Sequence, residues 1–218
     1  MTDVTQTRSA AADWIAWGSA ATGDALRGEG YPFQCMDAGI HAVAPGMKVA
    51  GPAYTVRTYP GATWALGRAI EQASAGDVLV VDAGGRPDVI IMGELMSMRA
   101  QQRGIAGVVV DGAVRDIADI DALGFPMFAR YVCPRSGTHD KVGQWQTPIA
   151  CGRVVVNPGD WIVADESGVT AVPADVVEPV ARATAQVKAK EAAIARHLKA
   201  GCDLGTACEK AAASLHTE

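Results

Sequence analysis

The sequence predicts an α/β domain whose mixed β-sheet is well covered by helices. Residues 63–73 have apolar side chains at helical spacing and lead through a Gly-Asp turn into a strand over residues 78–82. Residues 90–103 repeat this arrangement and lead into a second strand that contains the valine run 108–110. Such a run suits a strand that is buried on both faces. Because no linker rich in Pro, Ser or charge divides the 218 residues, we expect one domain over residues 1–218.

The other elements follow in chain order. Apolar spacing predicts a helix over residues 13–26, with Gly18 and Gly23 as breaks. Residues 31–60 are rich in Gly and Pro and are expected to form short strands joined by tight turns. Further strands are expected over residues 125–129, 153–156 and 159–165.

The C-terminal part is Ala-rich and predicts a long helix over about residues 173–200, which ends at Gly201 and is followed by a weakly ordered tail over residues 201–218. Glu191 falls on the apolar stripe of this helix. A carboxylate is unfavourable there unless it is paired. Glu191 is therefore a candidate functional residue.

Composition excludes several classes of protein. Hydrophobic residues make up 49% of the chain and charged residues 20%, which favours a globular domain over a disordered chain. The net charge of −5, without a basic run, argues against a nucleic-acid partner. We expect a cytoplasmic protein with no membrane partner, because no segment resembles a secretory signal or a bilayer span. The dispersed five cysteines and four histidines predict neither a disulfide framework nor a zinc or His-rich metal site.

The most informative stretch is residues 107–116, GVVVDGAVRD, where Arg115 and Asp116 follow a buried strand. The Asp-Gly pair at 111–112 is expected to bend the chain out of the sheet. A guanidinium can orient a carboxylate through two parallel hydrogen bonds, and a lone carboxylate can hold a divalent cation that keeps most of its waters. Together they would bind a 2-oxo acid. The alternative is a surface ion pair after a strand end.

A second candidate element is Gly93-Glu94-Leu95-Met96, placed near the start of a helical turn. Backbone N–H groups in a first turn lack intrahelical partners and attract a small carboxylate. Glycine allows close approach, and Glu94 adds a titratable group; alternatively, Gly93 only relieves a turn and Glu94 only complements the helix dipole. Asp119 could hold a metal-bound water, although a solvated helix face explains it equally well.

The sequence favours some cofactors over others. The loop over residues 82–87 is Gly-rich but lacks the Gly-x-Gly-x-x-Gly spacing, so a nucleotide cofactor is not expected. Carbon–carbon cleavage beside a 2-oxo acid leaves an enolate, which requires a lysine Schiff base or a divalent cation. No lysine follows a buried strand, so the metal is favoured. Arg130 and Arg135 either hold distal substrate carboxylates or are solvated.

These motifs resemble the class II pyruvate aldolases. Gly93-Glu94-Leu95-Met96 and the later run Arg115-Asp116-x-x-Asp119 are similar to the 4-hydroxy-4-methyl-2-oxoglutarate/4-carboxy-4-hydroxy-2-oxoadipate aldolase family, which shares its fold with the regulator of ribonuclease activity A. The resemblance extends from residues 22–26 through residues 164–169 to the terminal helix. It implies an α-β-β-α sandwich of the swivelling phosphohistidine-domain type, assembled as homotrimers or homohexamers with sites between subunits.

The resemblance also implies roles for individual residues. It implies that Asp116 holds Mg²⁺ or Mn²⁺ and that Arg115, with the backbone amides of Leu95 and Met96, holds the pyruvate moiety. Glu94 matches the acid–base residue, a position where Asp is common in the family. Glu191 matches a carboxylate that a neighbouring subunit contributes.

The expected function is cleavage of a 4-hydroxy-2-oxo acid to pyruvate and a second keto acid. Oxaloacetate decarboxylation is an expected side activity because it passes through the same enolate. The resemblance associates such substrates with the degradation of aromatic compounds. The alternative function is that of a non-catalytic regulator of ribonuclease activity, which acts by protein–protein interaction.

Overall fold

Parallel strands linked by helices form the middle of the structure, as the two helix-to-strand units predict. The computed structural model describes the backbone of residues 4–215 and the side chains of residues 11–214, so both ends of the predicted domain lie outside the described residues. The helices are α1 (Val4–Gly28), α2 (Trp64–Gln72), α3 (Glu94–Gln102), α4 (Ile117–Leu123), α5 (Val177–Lys199) and α6 (Leu204–Leu215). The strands are β1 (His41–Ala42), β2 (Val49–Arg57), β3 (Val78–Asp82), β4 (Ile90–Met92), β5 (Gly107–Val114), β6 (Met127–Val132), β7 (Gln144–Trp145), β8 (Ile149–Cys151), β9 (Val154–Val156), β10 (Trp161–Asp165) and β11 (Gly168–Val172).

The main sheet is mixed and nearly closes on itself. Its strand order is β1-β6-β5-β3-β2-β10-β11, in which β2, β3, β5 and β6 are parallel and the outer strands antiparallel. The segment that precedes β1 reaches the edge strand β11 at the other end of this order. There Met36 N donates to Val169 O at 2.8 Å, and Ala171 N donates to Gln34 O at 3.0 Å. The predicted α/β class, mixed sheet and long C-terminal helix are confirmed.

Two apolar clusters hold the helices on the sheet. The larger one fills the interior, where the valines of β3 and β5 are fully buried. The smaller one lies where α1 packs on β2, β10 and β11, and it contains Trp14 and Trp161, whose ring centroids are 6.2 Å apart. Helix α5 packs on α1, and α6 packs on α5. None of the helices within residues 4–215 has both the length and the apolar character needed to cross a membrane.

Helix α1 bends at Gly18, one of its two predicted breaks. Gly18 has a φ of 84°, which favours glycine, and the carboxylate of Asp165 accepts hydrogen bonds from Ser19 N at 2.8 Å and Ser19 Oγ at 2.6 Å. Asp165 thereby caps the second half of the helix. The predicted break at Gly23 is wrong, because this residue lies inside the helix. A Cβ there would lie only 2.8 Å from Cys35 Sγ, so glycine permits close packing.

Residues 90–103, predicted as one helix, form β4 and then α3. Ile90, Ile91 and Met92 are all buried, and β4 pairs in parallel with the end of β5. Three consecutive buried residues suit a strand covered on both faces better than a helical stripe. Gly93 then separates the strand from the helix.

The Asp-Gly pair at 111–112 does not turn the chain out of the sheet. Strand β5 continues to Val114, and its pairing with β6 is irregular between Val110 and Ala113. A Cβ in place of the glycine hydrogen would lie 2.8 Å from the Cβ of Ala83, so glycine allows the backbones to approach. The pair therefore marks a bulge within a continuous strand, and this carries the chain directly to the Arg-Asp motif.

The tail predicted as weakly ordered over residues 201–218 contains helix α6, so that prediction is wrong for this segment. Asp203 caps the helix by accepting hydrogen bonds from Thr206 N at 3.0 Å and Thr206 Oγ1 at 2.6 Å. Ala207 and Ala211 are fully buried. The cap and the packing of α6 on α5 order this segment.

Candidate active site

One cleft brings together the two motifs that the sequence analysis singled out. The carboxyl ends of β4 and β5 meet the N-termini of α3 and α4 at one edge of the sheet, where ligands bind in α/β folds. A cleft of about 260 Å³ opens there. Six predicted residues line it: Gly93, Glu94, Leu95, Met96, Arg115 and Asp116. Five more residues complete the lining: Thr63, Ile90, Ser136, Gly137 and His139.

Asp116 joins the two motifs. It begins α4 in the left-handed conformation, with φ 60° and ψ 41°. Its Oδ2 accepts hydrogen bonds from Glu94 N at 3.1 Å and from Arg115 Nε at 3.2 Å. A Cβ at Gly93 would lie 2.5 Å from the same oxygen, so glycine is required for this approach. Gly93 therefore does more than relieve a turn.

Arg115 is anchored both to β4 and to the segment that contains Ser136. Its backbone N donates to Met92 O at 3.2 Å, which anchors it to β4, and its Nη1 donates to Ser136 Oγ at 2.8 Å. The ion pair with Asp116 that the alternative interpretation predicts is present, but it lies inside the cleft. Since two of the guanidinium's N–H groups are used, the others can bind a carboxylate.

The first turn of α3 supplies backbone donors to the cleft. Its first i→i−4 hydrogen bond runs from Ser97 N to Gly93 O at 3.1 Å, so the amides of Leu95 and Met96 precede the hydrogen-bonded part of the helix. Glu94 is half-buried beside them. These amides and the helix dipole favour an anion at this point.

The part of the lining that comes from Thr63 and residues 136–139 was not predicted from the sequence. His139 Nδ1 lies 3.0 Å from Thr63 Oγ1, and Thr63 N donates to Thr138 O at 2.9 Å. Gly137 packs so closely on the carbonyl of Gly61 that a Cβ would overlap it. The polar run at residues 138–140 was visible in the sequence, but nothing in its spacing indicated that β4 and α2 would face it.

Asp116 is the carboxylate of the cleft best placed to hold a metal ion. Within the described residues, no three His, Cys, Asp or Glu side chains cluster to hold an ion. Asp116 uses only Oδ2 in its hydrogen bonds among those residues, which leaves Oδ1 for a ligand. One partly exposed carboxylate fits Mg²⁺, which is often held by one or two carboxylates and several waters. Asp119 lies in the first turn of α4 and is exposed.

Glu191 lies outside the cleft of its own chain. It is on α5 and half-exposed, and its Oε2 is 2.7 Å from Lys188 Nζ. The sequence analysis placed Glu191 on the apolar stripe of this helix. The structure shows otherwise, because the buried positions of α5 are Val180, Thr184 and Ala193. Pairing with lysine and exposure to solvent explain why a carboxylate is tolerated there.

Arg130 is a structural residue and does not face the cleft. Only 15% of its side chain is exposed, and its Nε and Nη1 lie 2.6 Å from Asp111 Oδ1 and 3.0 Å from Asp37 Oδ1. The hydrogen bond with Asp111 raises the pKa of Arg130. Arg135, the other arginine considered for distal carboxylates, is largely exposed and lies 3.8 Å from Asp88.

Comparison with known proteins identifies the family. Residues 19–171, from the bend in α1 to β11, match the RraA-like family described as Aldolase/RraA. The chain belongs to this family. It is 40% identical over 157 residues to a Halalkalibacterium halodurans protein named "Putative 4-hydroxy-4-methyl-2-oxoglutarate aldolase", an alignment that covers 70% of this chain and 75% of that protein.

Solved structures of similar proteins support the same family relationship. An uncharacterized protein from Pseudomonas syringae pv. tomato superposes with a TM-score of 0.81 at 29% identity, covering 91% of this chain and 92% of that one. The RNA-processing inhibitor RraA from Thermus thermophilis superposes with a TM-score of 0.62 at 28% identity, covering 67% of this chain and 90% of that one. The Aldolase/RraA fold is thus shared by proteins with different names.

Proposed function

We propose that this chain is a divalent-metal-dependent aldolase that cleaves 4-hydroxy-2-oxo acids, of the 4-hydroxy-4-methyl-2-oxoglutarate or 4-carboxy-4-hydroxy-2-oxoadipate type, to pyruvate and a second keto acid. The observation that carries the proposal is the meeting of Arg115, Asp116 and the first turn of α3 in one cleft. The similarity to a protein with an aldolase name supports it.

The pyruvyl end of the substrate binds between the guanidinium and the helix. Arg115 is held in place by Ser136 and Asp116, so its free N–H groups are oriented before the substrate arrives. The amides of Leu95 and Met96 face the same anion. A carboxylate bound by both donors would be fixed in one orientation, with its keto group beside Asp116.

Asp116 would hold the Mg²⁺ or Mn²⁺ through Oδ1 and coordinated water. When bound, the ion would polarise the keto group and stabilise the negative charge that cleavage places on the three-carbon product. The hydrogen bonds from Glu94 N and Arg115 Nε hold the other carboxylate oxygen, which keeps the ligand oxygen oriented.

Glu94 would carry out the second proton transfer. Cleavage of the C3–C4 bond leaves the electron pair on the enolate of pyruvate, and C3 must then receive a proton. Glu94 lies in the first turn of α3 beside the pyruvate-binding amides and would deliver that proton through a water. Oxaloacetate decarboxylation gives the same enolate and would use the same residues.

Deuterium incorporation into the methyl group of pyruvate tests the proposal without the physiological substrate. The wild-type protein should catalyse this exchange with added Mg²⁺ or Mn²⁺, and chelation should remove the activity. Asp116→Ala should lower the exchange by about 10²-fold or more, because it removes both the metal ligand and the hydrogen bond to α3. Asp121→Asn, an exposed carboxylate on the same helix, should exchange like wild type.

The alternative is a non-catalytic regulator of ribonuclease activity. It is favoured by the similarity to the RNA-processing inhibitor from Thermus thermophilis. A protein that acts only by binding another protein would show neither exchange of pyruvate protons nor oxaloacetate decarboxylation at any metal concentration. That result, or exchange by Asp116→Ala at the wild-type rate, would contradict the aldolase proposal.

We propose further that homotrimers or homohexamers complete the site, with Glu191 supplied by a neighbouring subunit. Its exposure on α5 leaves it available to a second chain. Mixing inactive Arg115→Ala and Glu191→Ala proteins should then restore activity, because some interfaces of the mixed assembly would contain both intact residues. Failure of the mixture to gain activity, with light scattering showing mixed oligomers, would exclude the shared site.

A further inference from the structure

The proposed cleavage requires a base for the hydroxyl on C4, and the roles assigned above leave this step without a residue of the same chain. Four titratable side chains line the cleft among the described residues: Glu94, Arg115, Asp116 and His139. Glu94 serves C3, Arg115 stays protonated, and Asp116 is the metal ligand. His139 is the remaining group, and no other part of the proposed function uses it.

The hydrogen bonds around His139 favour one tautomer of its ring. Thr63 Oγ1 donates to Thr138 O at 2.9 Å and lies 3.0 Å from His139 Nδ1. A hydroxyl has one proton, so with that proton on the Thr138 carbonyl, Nδ1–H is the donor to Thr63 Oγ1. Nε2 of the neutral ring then carries a lone pair and is free to accept a proton.

The wall that carries His139 is held firmly on both sides. Thr138 N donates to Gly61 O at 2.6 Å, and Ile90 N donates to Arg135 O at 3.0 Å. These bonds attach the segment to the loop before α2 and to β4. A base in such a segment keeps its orientation without help from the substrate, which is what general base catalysis needs.

His139 lines the same cleft as Arg115. Arg115 Nη1 donates to Ser136 Oγ, three residues before His139, so the guanidinium and the imidazole belong to one small cleft of about 260 Å³. A substrate whose C1 carboxylate is bound by Arg115 would place C4 in the cleft that Thr63 and His139 also line.

Resting on the aldolase function proposed above, we propose that His139 is the catalytic base for the C4 hydroxyl. Nε2 takes the hydroxyl proton, the oxygen's electron pair forms the C4 carbonyl, and the C3–C4 bond breaks with its pair passing to the pyruvate enolate. Glu94 then protonates C3 through water, and His139 returns its proton to solvent, so protons and electrons balance. Thr63 is a positioning residue that keeps the ring in the required tautomer.

Three reactions of the same protein separate this base from the rest of the site. Aldol cleavage requires removal of the hydroxyl proton, whereas pyruvate methyl exchange and oxaloacetate decarboxylation have no such hydroxyl. His139→Asn should lower kcat for cleavage of 4-hydroxy-4-methyl-2-oxoglutarate by about 10²–10⁴-fold. The other two reactions should proceed at the wild-type rate, which also shows that the variant is folded.

Two further variants complete the experiment. His41→Asn is the matched control, because His41 is exposed on β1 and its Nδ1 lies 3.0 Å from Gly39 O, outside the cleft. It should cleave at the wild-type rate. Thr63→Val should lower kcat for cleavage by about tenfold, the effect of losing roughly one hydrogen bond's free energy, while exchange is kept.

The outcomes distinguish failure of this inference from failure of the aldolase function. If His139→Asn cleaves like wild type, or loses exchange and decarboxylation as strongly as cleavage, His139 is not the base. If Glu191→Gln loses cleavage alone while His139→Asn keeps it, the base belongs to the neighbouring subunit. If the wild-type protein shows none of the three reactions, the proposed function itself is wrong.

Discussion

The carboxylate of Asp116 and the backbone nitrogen of Glu94 are 3.1 Å apart, and this hydrogen bond ties the start of α4 to the start of α3. The two residues come from separate motifs of the sequence. Their contact brings a candidate metal ligand and a candidate proton donor to the same point. It also places both beside amides that favour an anion.

Gly93→Ala should disable the site without unfolding the protein. The added Cβ would lie 2.5 Å from Asp116 Oδ2 and 3.1 Å from Arg115 Cγ, so both side chains must move. A displacement of about 1 Å can cost about 10²-fold in rate, and we expect a loss of that size in pyruvate exchange. Gly28→Ala, where a Cβ has no neighbour within 4 Å, is the control. Equal rates for both variants would contradict the geometry described here.

Arg115→Lys should weaken pyruvate binding although the positive charge is kept. Lysine cannot donate to Ser136, Asp116 and a ligand carboxylate in the planar arrangement that the guanidinium provides. We expect KM for pyruvate exchange to rise by about tenfold or more, the equivalent of about 1.4 kcal/mol. Arg86→Lys, in an exposed pair with Asp88, should leave KM unchanged. A lysine variant with wild-type KM would show that charge alone suffices.

Arg130→Met should destabilise the fold. Removing the guanidinium leaves Asp111 without its cation and leaves Asp37 with only the exposed Arg153, and loss of one member of a buried pair costs about 3–5 kcal/mol. Urea unfolding of the two proteins measures the difference in the free energy of unfolding. Arg86→Met removes an exposed pair and should change the free energy of unfolding far less. Similar losses in both variants would mean that the Arg130 pairs contribute no more than a surface contact.

Asp165 should make stability depend on acid pH. Burial acts to raise its pKa, but hydrogen bonds from Ser19 and from Ser167 N outweigh burial and lower the pKa below 3.8. Since the folded pKa is the lower one, the stabilisation is present above pH 3.8 and is lost as the pH falls through the folded value.

The Asp165→Asn variant tests this dependence. It should be less stable at neutral pH by about 1–3 kcal/mol, and the difference from wild type should shrink on acidification. Urea midpoints measured over the acid range report both effects. Asp24→Asn, which alters an exposed residue of α1, should follow the wild-type curve. A difference that stays constant with pH would exclude this carboxylate as the cause.

Much of the fold follows from local patterns. The strand over residues 78–82 and the helices near 63–73 and 173–200 match β3, α2 and α5 closely. The two helices have a clear helical period, and the strand is a short continuous apolar run. Segments without a distinctive period were misassigned. β4 reads as part of a helix because its burial comes from pairing with β5, which is a long-range contact.

The part of the candidate site that follows a local pattern was predicted from the sequence, and the part that depends on long-range contacts was not. Arg115 and Asp116 follow a recognisable strand, and parallel topology places them beside the first turn of α3. His139 and Ser136 lie in a loop that the backbone hydrogen bonds of their neighbours Thr138 and Arg135, to Gly61 and Ile90, hold at the cleft. Such contacts depend on the folded arrangement and leave no pattern in the chain.

The left-handed backbone at Asp116 restricts which acids can occupy this position. Asp, Asn and Gly adopt that conformation more readily than residues with longer side chains. A glutamate would carry the same charge, but it would adopt the left-handed backbone conformation less readily, and its carboxylate would be displaced by one methylene. The residues that satisfy the backbone most easily, Asn and Gly, both remove the charge. One ordinary substitution at this position would therefore remove the proposed metal ligand and keep the backbone conformation.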